Sequence, residues 1–471
     1  MVRNFVSAVT GHWISLLGVI LALSCLVMIG LLIGLQMTGF EGGAYLGILT
    51  FMLLPMGFAL GLVLIPIGAW RKRRLHARAL AKHGPEGPPL PVIDLNDERT
   101  RGVVLASVVV GLFSFVLLAG ATYKGVHEME TVAFCGTVCH TVMEPEHTAF
   151  LRSAHSKLTC ADCHIGAGAD WFVKSKISGS WQLVSVAFNL YPTPIASPVH
   201  SLRPARDTCE QCHWPTKHVG DKLKIETRFA DDEANSITKT VLLMKVGGQQ
   251  GTTSTGIHWH VDRGVKIRYL GDLKRENIYD IEATTPDGKV KVYKTEARPT
   301  GPVEWRTMDC VDCHNRPSHT FQPAHKEINS AMEDGRIDRT LPFIKREGMR
   351  VLKEGRYASK EEARLGIAGE IDKFYKTTYA ELATSKASEI KAAANALGDI
   401  YSWNVFPKMK VTWGTYTNHL GHTDESPGCM RCHDKKHKAE DGTRVSGGCK
   451  SCHAVLADDE PEPEILATLK P

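Results

Sequence analysis

Residues 134–147 read FCGTVCHTVMEPEH. Cys135 and Cys139 stand four positions apart, His140 follows at once, and Met143 and His147 come shortly after. Five similar clusters lie downstream, each one residue tighter: Cys160 with Cys163, Cys209 with Cys212, Cys310 with Cys313, Cys429 with Cys432, and Cys449 with Cys452. In each of these, too, the second cysteine is followed by histidine: His164, His213, His314, His433 and His453. Of the 13 cysteines only Cys25, in an apolar run, stands outside such a pair. Zinc knuckles and redox dithiols need no adjacent histidine every time, whereas Cys-x-x-Cys-His is the attachment pattern of c-type haem. Two thiols about a helical turn apart project to one side and can bond two vinyl carbons of one porphyrin, while the next histidine reaches the iron. The repetition predicts six covalently attached haems, with the six motif histidines as proximal ligands.

Charge is unevenly spread along the 471 residues, although the total is only +5. Arg71 to Gly102 holds eight Lys/Arg against four Asp/Glu, while from Lys124 onward the balance is 47 basic to 46 acidic. No broad basic face is implied, so nucleic acid is not an expected partner. Three runs lack any charged residue: Trp13 to Leu35, Tyr45 to Trp70, and Gly102 to Tyr123. Each exceeds the roughly 20 residues needed to cross a bilayer core. Residues 1–123 therefore read as a transmembrane anchor of three helices, with Pro55 and Pro66 tolerated inside the second. The RKRRLHARALAKH block after the second run places a loop, 71–101, on the cytoplasmic side. The amino terminus is then cytoplasmic, and everything after Tyr123 lies outside a bacterial inner membrane, in the periplasm.

The fold expected overall is this membrane α-helical anchor plus a mostly α/irregular multihaem cytochrome c domain with a small β-rich insertion. Residues 124–220 carry three motifs, 221–307 alternate as short strands, and 308–471 carry three more motifs with helical patterning. Within 221–307, YDIEATT and KVKVYK flank Pro286-Asp287-Gly288 as a hairpin, and IHWHV reads as a strand with His258 and His260 on one face. Further on, Ser359 and Glu362 form a capping-box pattern, and Ile367, Ile371, Phe374 and Tyr375 recur at helical spacing as a core stripe.

Twelve histidines of the outer region lie outside the motifs, twice what six irons need. The preferred distal candidates are His155, His200, His218, His258 or His260, His319, His422 and His437. At the first motif the extra residue displaces His140 by about 100° around a helix. Met143 then becomes an alternative ligand, one that raises the potential relative to two histidines. Met143 packing, with His140 pairing another histidine such as His147, is the competing reading.

With these residues in view, the chain resembles the NapC/NirT family of membrane-anchored multihaem quinol dehydrogenases, in its larger form. CGTVCHTVMEPE resembles the family's first site, SAHSKLTCADCHIGAGADWFVKSKISG the surroundings of its second haem, and RPARDTCEQCHWPTKH its third. VFPKMKVTWGTYTNHLGH before GCMRCHDKKH is similar to the carboxy-terminal part of larger members. Three spans, where small members have one, and the wider first motif depart from the pattern. The resemblance implies that quinol from the membrane pool is oxidised at the outer surface beside the first haem, with electrons passing to a periplasmic cytochrome or other redox protein. It maps the family's lysine onto Lys176, with Asp170 and Lys174 as companions. Two other readings stand beside this one: an electron-relay subunit docked to other membrane subunits, and a terminal periplasmic reductase. Intact mass of the mature protein is expected to exceed that of the bare polypeptide by six haem groups, and a bare-chain mass would overturn the whole reading.

Overall fold

A computed structural model describes residues 12–37, 49–83, 95–165, 169–199, 204–214, 220–250, 253–262, 264–422 and 426–469. The chain divides into two compact units, Met1–Cys139 and His140–Pro471.

The first unit contains helices α1 (Trp13–Met37), α2 (Leu54–His83) and α3 (Glu98–Met129). Helices α1 and α2 pack antiparallel along a seam of small residues. A Cβ on Gly18 would lie 2.7 Å from the Gly61 carbonyl oxygen, and one on Gly61 the same distance from the Ala22 amide, so only hydrogen fits at either position. The hydroxyl of Ser15 donates to the Ile65 carbonyl at 2.8 Å, next to the interior Pro66 that has no N–H of its own. Cys25 is buried in this seam against Gly57. Close backbone approach through small residues is how helices associate where lipid offers no hydrophobic drive. The outer faces fit that setting, since Leu23, Leu31, Leu60 and Val63 are all more than half exposed. Trp13–Gly34 and Leu54–Leu75 are each long and apolar enough to cross a membrane.

Two sequence expectations change here. Helix α2 continues through the basic block to His83, so 71–83 is helical and not part of a loop. Arg, Lys, Ala and Leu are strong helix formers, and no breaker intervenes before Gly84-Pro85; Arg74 lies 4.2 Å above the Trp70 ring. Helix α3, capped by Asp97 accepting from the Thr100 amide at 3.0 Å, passes Tyr123 and ends at Met129, so residue 123 ends no element.

The second unit begins with α4 (His140–Leu151), α5 (Cys160–His164), α6 (Ala169–Ala187) and α7 (Ala205–Cys209). Strands β1 (Lys222–Phe229), β2 (Ile237–Met244), β3 (Gly248–Gln250), β4 (Thr253–Thr255), β5 (Lys266–Asp272), β6 (Ile278–Thr284), β7 (Val290–Lys294) and β8 (Val303–Thr307) follow. Their sheets run β7-β6-β5-β8 and β3-β4, and a third is β1-β2-β9, where β9 is His453–Glu460. The strands of 221–307 are thus not a closed insertion, because β2 is flanked by a strand from the far end of the chain. The β6–β7 hairpin pairs Ile281 with Tyr293 and turns at Gly288, whose φ of 79° suits glycine. Ile257–Val261 is a 3₁₀ turn instead of a strand. At three residues per turn, His258 and His260 point to different sides and not to one face.

Helices α8 (Cys310–Cys313), α9 (Ala324–Glu333), α10 (Ile344–Glu354), α11 (Lys360–Thr378), α12 (Ala380–Ser385) and α13 (Ala387–Asn404) complete the unit. Its largest apolar cluster joins α9, α10, α11 and α13. Ile367, Ile371 and Tyr375 are fully enclosed, with Phe374 packed against them, and the Tyr375 hydroxyl donates to the Pro342 carbonyl at 2.9 Å. Ser359 caps α11 by accepting from the Glu362 amide at 3.1 Å, while the Glu362 carboxylate reaches back to the Ala358 amide, one residue before the cap. Replacing Ile371 by Ala should cost about 2–5 kcal/mol, read as a lowered unfolding midpoint by circular dichroism.

Candidate haem-binding sites

Each two-residue-gap motif folds as a single tight turn. The carbonyl of the first cysteine accepts from the N–H of the following histidine at 2.8 Å in the third and fourth motifs and at 3.1 Å in the fifth. In the sixth, Cys452 donates to the Cys449 carbonyl at 3.2 Å. Capping boxes start two of the turns: Thr159 with Asp162 before α5, and Asp309 with Asp312 before α8. The residue before the first cysteine and the one before the second therefore fix where the turn begins, and both thiols leave from one side. The first motif solves a different problem. Phe134–Val138 forms a π turn, in which the wider spiral takes up the extra residue between Cys135 and Cys139.

Among the described residues no disulfide ties up any of the twelve motif cysteines. Their settings differ in one respect. Cys163, which follows the capping Asp162 inside α5, is half-buried, as are nine of the others. Cys212 and Cys449 are instead exposed. Cys212 lies three residues past Cys209, beyond the end of α7, where its amide still donates to the Cys209 carbonyl at 3.2 Å. The third motif therefore keeps its turn geometry although its second thiol leaves the helix and faces outward.

Asp312 does more than cap. It is buried and accepts from the Tyr269 hydroxyl at 2.6 Å and from Arg306 Nε at 2.8 Å, with Arg275 at 3.7 Å. Burial and the neighbouring carboxylate push the Tyr269 phenol well above its usual range, so it stays a donor. This ties the fourth motif to strands β5 and β8.

Neighbouring motifs touch. The Cys310 thiol hydrogen-bonds with that of Cys209, and the Ala205 amide donates to Asp309 at 2.9 Å. Cys313 lies beside Cys429, which in turn neighbours Cys452. Burial pushes Cys313 up to about 11 and Cys432 up to about 12. Among the described residues no three His, Cys, Asp or Glu side chains converge on a metal-sized point.

Four motif histidines face a second histidine ring. His164 and His319 lie 6.1 Å apart between ring centres, His213 and His155 6.0 Å, His433 and His260 5.7 Å, and His453 and His422 6.3 Å. A metal–nitrogen bond of about 2.0 Å plus about 1.1 Å to the ring centre puts two axial imidazoles of one metal about 6.2 Å apart. The ring nitrogens agree. Nδ1 of His155 meets the Pro317 carbonyl at 3.4 Å, that of His319 the Glu146 carbonyl at 3.1 Å, that of His260 the Ile257 carbonyl at 2.7 Å, and that of His433 the Ser446 carbonyl at 2.5 Å. A metal-binding histidine is oriented in this way, leaving Nε2 for the iron. Burial holds His164, His260 and His319 below the usual histidine range, in the neutral form a metal requires. The residues present fit haem.

Other candidates fare differently. His437 has Nδ1 3.1 Å from Asp434 and Nε2 3.2 Å from the Ile278 carbonyl, so both nitrogens are engaged with protein and the ligand expectation is withdrawn. Of the two histidines in the Ile257–Val261 turn, His260 is the one whose ring lies 5.7 Å from that of His433. His200 and His218 fall outside the described residues. His140, Met143 and His147 recur at positions i, i+3 and i+7 of α4, on one face. His140 and Met143 thus compete for one side of a haem and cannot bind it from opposite sides. In α6 Lys174 lies 4.8 Å from the Trp171 ring, and Asp170 stands four residues before it in the sequence. Lys176 is two positions on, about 200° around the helix from Lys174, so the three do not line one surface. Nothing in the sequence reading picked out Glu146, Arg316 or Asp312; only the capping patterns T-C-x-D and D-C-x-D were there to signal Asp162 and Asp312.

Comparison with known proteins places the chain in a family. A model of the NapC/NirT cytochrome c family, N-terminal region, matches residues 98–198. Over 450 residues the chain is 38% identical to the cytochrome c-type protein ImcH of Geobacter sulfurreducens, an alignment covering 94% of this chain and 87% of that protein. The chain belongs to the NapC/NirT cytochrome c family. Like the rest of this family it is a membrane-anchored c-type cytochrome with covalently bound haem, acting in electron transport. No solved structure matches it.

As a NapC/NirT cytochrome with paired imidazoles, the protein should respond sharply to loss of either member of a pair. Replacing His155, His260, His319 or His422 by Ala is expected to convert one low-spin ferric signal to high-spin in electron paramagnetic resonance. His437→Ala should leave every signal unchanged.

Proposed function

We propose that this protein is a six-haem quinol dehydrogenase of the bacterial inner membrane. It takes electrons from the quinol pool at the outer membrane face and passes them to a periplasmic cytochrome or other redox protein. The observation that carries the reading is the set of four imidazole pairs at the second, third, fifth and sixth motifs, together with attachment turns that stand against one another from the third motif to the sixth. In this reading α3 is a third span, the amino terminus is cytoplasmic, and the motif-bearing unit is periplasmic. Residues 124–220 and 308–471 carry three motifs each, and strands β1 and β2 between them share a sheet with the carboxy-terminal strand β9.

Haem, when bound, supplies one-electron chemistry over a wide range of potential set by its ligands. The chain's residues do the rest. The twelve motif cysteines hold each porphyrin covalently, with Cys160 and Cys163 serving the second haem and Cys209 and Cys212 the third. His140, His164, His213, His314, His433 and His453 supply the proximal nitrogen, with Met143 as the alternative to His140. His319, His155, His260 and His422 face the second, third, fifth and sixth motif histidines. Oxidation of a quinol to a quinone releases two protons with its two electrons, so the site needs an acceptor within reach. Lys176 Nζ is that group in this proposal, supported by its position after the second motif, with Asp170 and Lys174 in the same helix as its companions.

A relay subunit within a larger membrane complex is the second reading, favoured by the packed α1–α2 pair, which is more than a tether needs. Mixing the purified holoprotein with a reduced quinol analogue separates the two. Prompt haem reduction is expected, with a loss on the order of 10²-fold for Lys176→Ala, the lower end of general acid–base contributions. No reduction at all would give the relay reading precedence, and an unchanged variant would remove Lys176 from the site.

A further inference from the structure

Glu146 sits in α4 three residues after Met143, and its carboxylate is already engaged. Arg316 Nη2 donates to its two oxygens at 2.8 and 2.9 Å, and His319 Nδ1 lies 3.2 Å from Oε2. The main-chain carbonyl of Glu146 meets the same ring nitrogen at 3.1 Å. One residue thus presents both of its acceptors to the Nδ1 edge of His319, whose ring faces His164. Arg316 is held just as firmly. Its Nε donates to the His319 carbonyl at 2.6 Å and its Nη1 to the Ser197 hydroxyl at 3.2 Å, and the guanidinium lies 4.1 Å above the Tyr416 ring. The side chain of Arg316 is 6% exposed and that of Glu146 20%, so water screens this cluster poorly.

We infer that Glu146 is a positioning residue for the haem of the second motif: it locks His319 with its proton on Nδ1 and makes that ligand more electron-donating, which lowers the potential of that one iron. The inference rests on the pairing of His164 with His319. A carboxylate accepting from a ligating imidazole raises its basicity, and a stronger donor favours Fe(III) over Fe(II). Arg316 opposes this by drawing charge from the same carboxylate. The two residues are antagonists acting on one ring nitrogen, and a merely structural contact would have no such signed behaviour. The contact also ties the helix that opens with His140 to a ligand of the next motif, while Arg316 itself lies two residues after His314.

The test uses the full-length holoprotein and a spectroelectrochemical titration of all its haems. Glu146→Gln is expected to raise one component, shifting its Fe(III)/Fe(II) ratio about tenfold toward Fe(II), or about 59 mV for one electron. Arg316→Gln should move the same component the opposite way, and Glu146→Asp, which keeps the charge but withdraws it, should give a smaller rise. Haem content of each variant reports whether it assembled, and Glu146→Asp serves if Glu146→Gln does not. Unmoved potentials in a fully loaded variant, or shifts of one sign in both Glu146→Gln and Arg316→Gln, overturn the inference. His319→Ala separates the levels. If it leaves all low-spin signals intact, the pairing itself fails; if it removes one while Glu146→Gln moves nothing, only the role of Glu146 fails.

Discussion

A single turn of backbone must deliver two thiols and one imidazole to the same small volume, and the rest of the second unit is arranged around that demand. The turn is too short to hold itself, so it borrows stability from its surroundings: capping carboxylates at the second and fourth motifs, and hydrogen bonds from distant arginines. Arg431 donates to the Asp312 carbonyl at 2.5 Å and to the Arg275 carbonyl at 2.6 Å, joining the fifth motif to the fourth. The facing imidazoles then come from far away in sequence, as with His164 and His319. A metal bound between such partners closes a long loop and constrains the chain much as a crosslink does.

Two kinds of interior share the second unit. Between His314 and Cys429 no motif occurs, and there the chain builds an ordinary helical core of Ile, Leu, Ala and Tyr. Beside the motifs the apolar clusters are small, such as Val265, Ile267, Tyr269, Ile278 and Ile281 with Cys432 packed against them. Porphyrin faces are expected to supply the missing apolar area in those parts. The helical core braces the motif-rich parts directly: Arg152 pairs with the buried Glu327 at 2.9 Å, and Asn404 donates to that same carboxylate at 3.2 Å.

What the sequence reveals follows from how local each signal is. Motif spacing is set within five or six residues, so the thiols and the histidines beside them were legible at once, though not that Cys212 would face outward while Cys163 is half-covered. The apolar runs were equally plain, and the stripe of Ile367, Ile371 and Tyr375 needs only the helical period. Distal ligands are long-range facts. Proximity to a motif drew attention to His155, His319 and His422, whose rings face motif histidines. It drew attention equally to His437, whose ring nitrogens serve Asp434 and the Ile278 carbonyl. His258 and His260 were indistinguishable until the segment proved to be a 3₁₀ turn. Glu146 and Arg316 are ordinary charged residues 170 positions apart, and only folding brings them together.

The last motif passes without a break into strand β9, which lies along β2 more than two hundred residues earlier, and the Lys245 amide donates to the Cys452 carbonyl at 2.8 Å. Cys452 therefore belongs both to the turn of the sixth motif and to the edge of this sheet. Without residues 453–460 this layer would have only two strands, so the turn of the sixth motif is anchored to an edge begun by the middle of the chain.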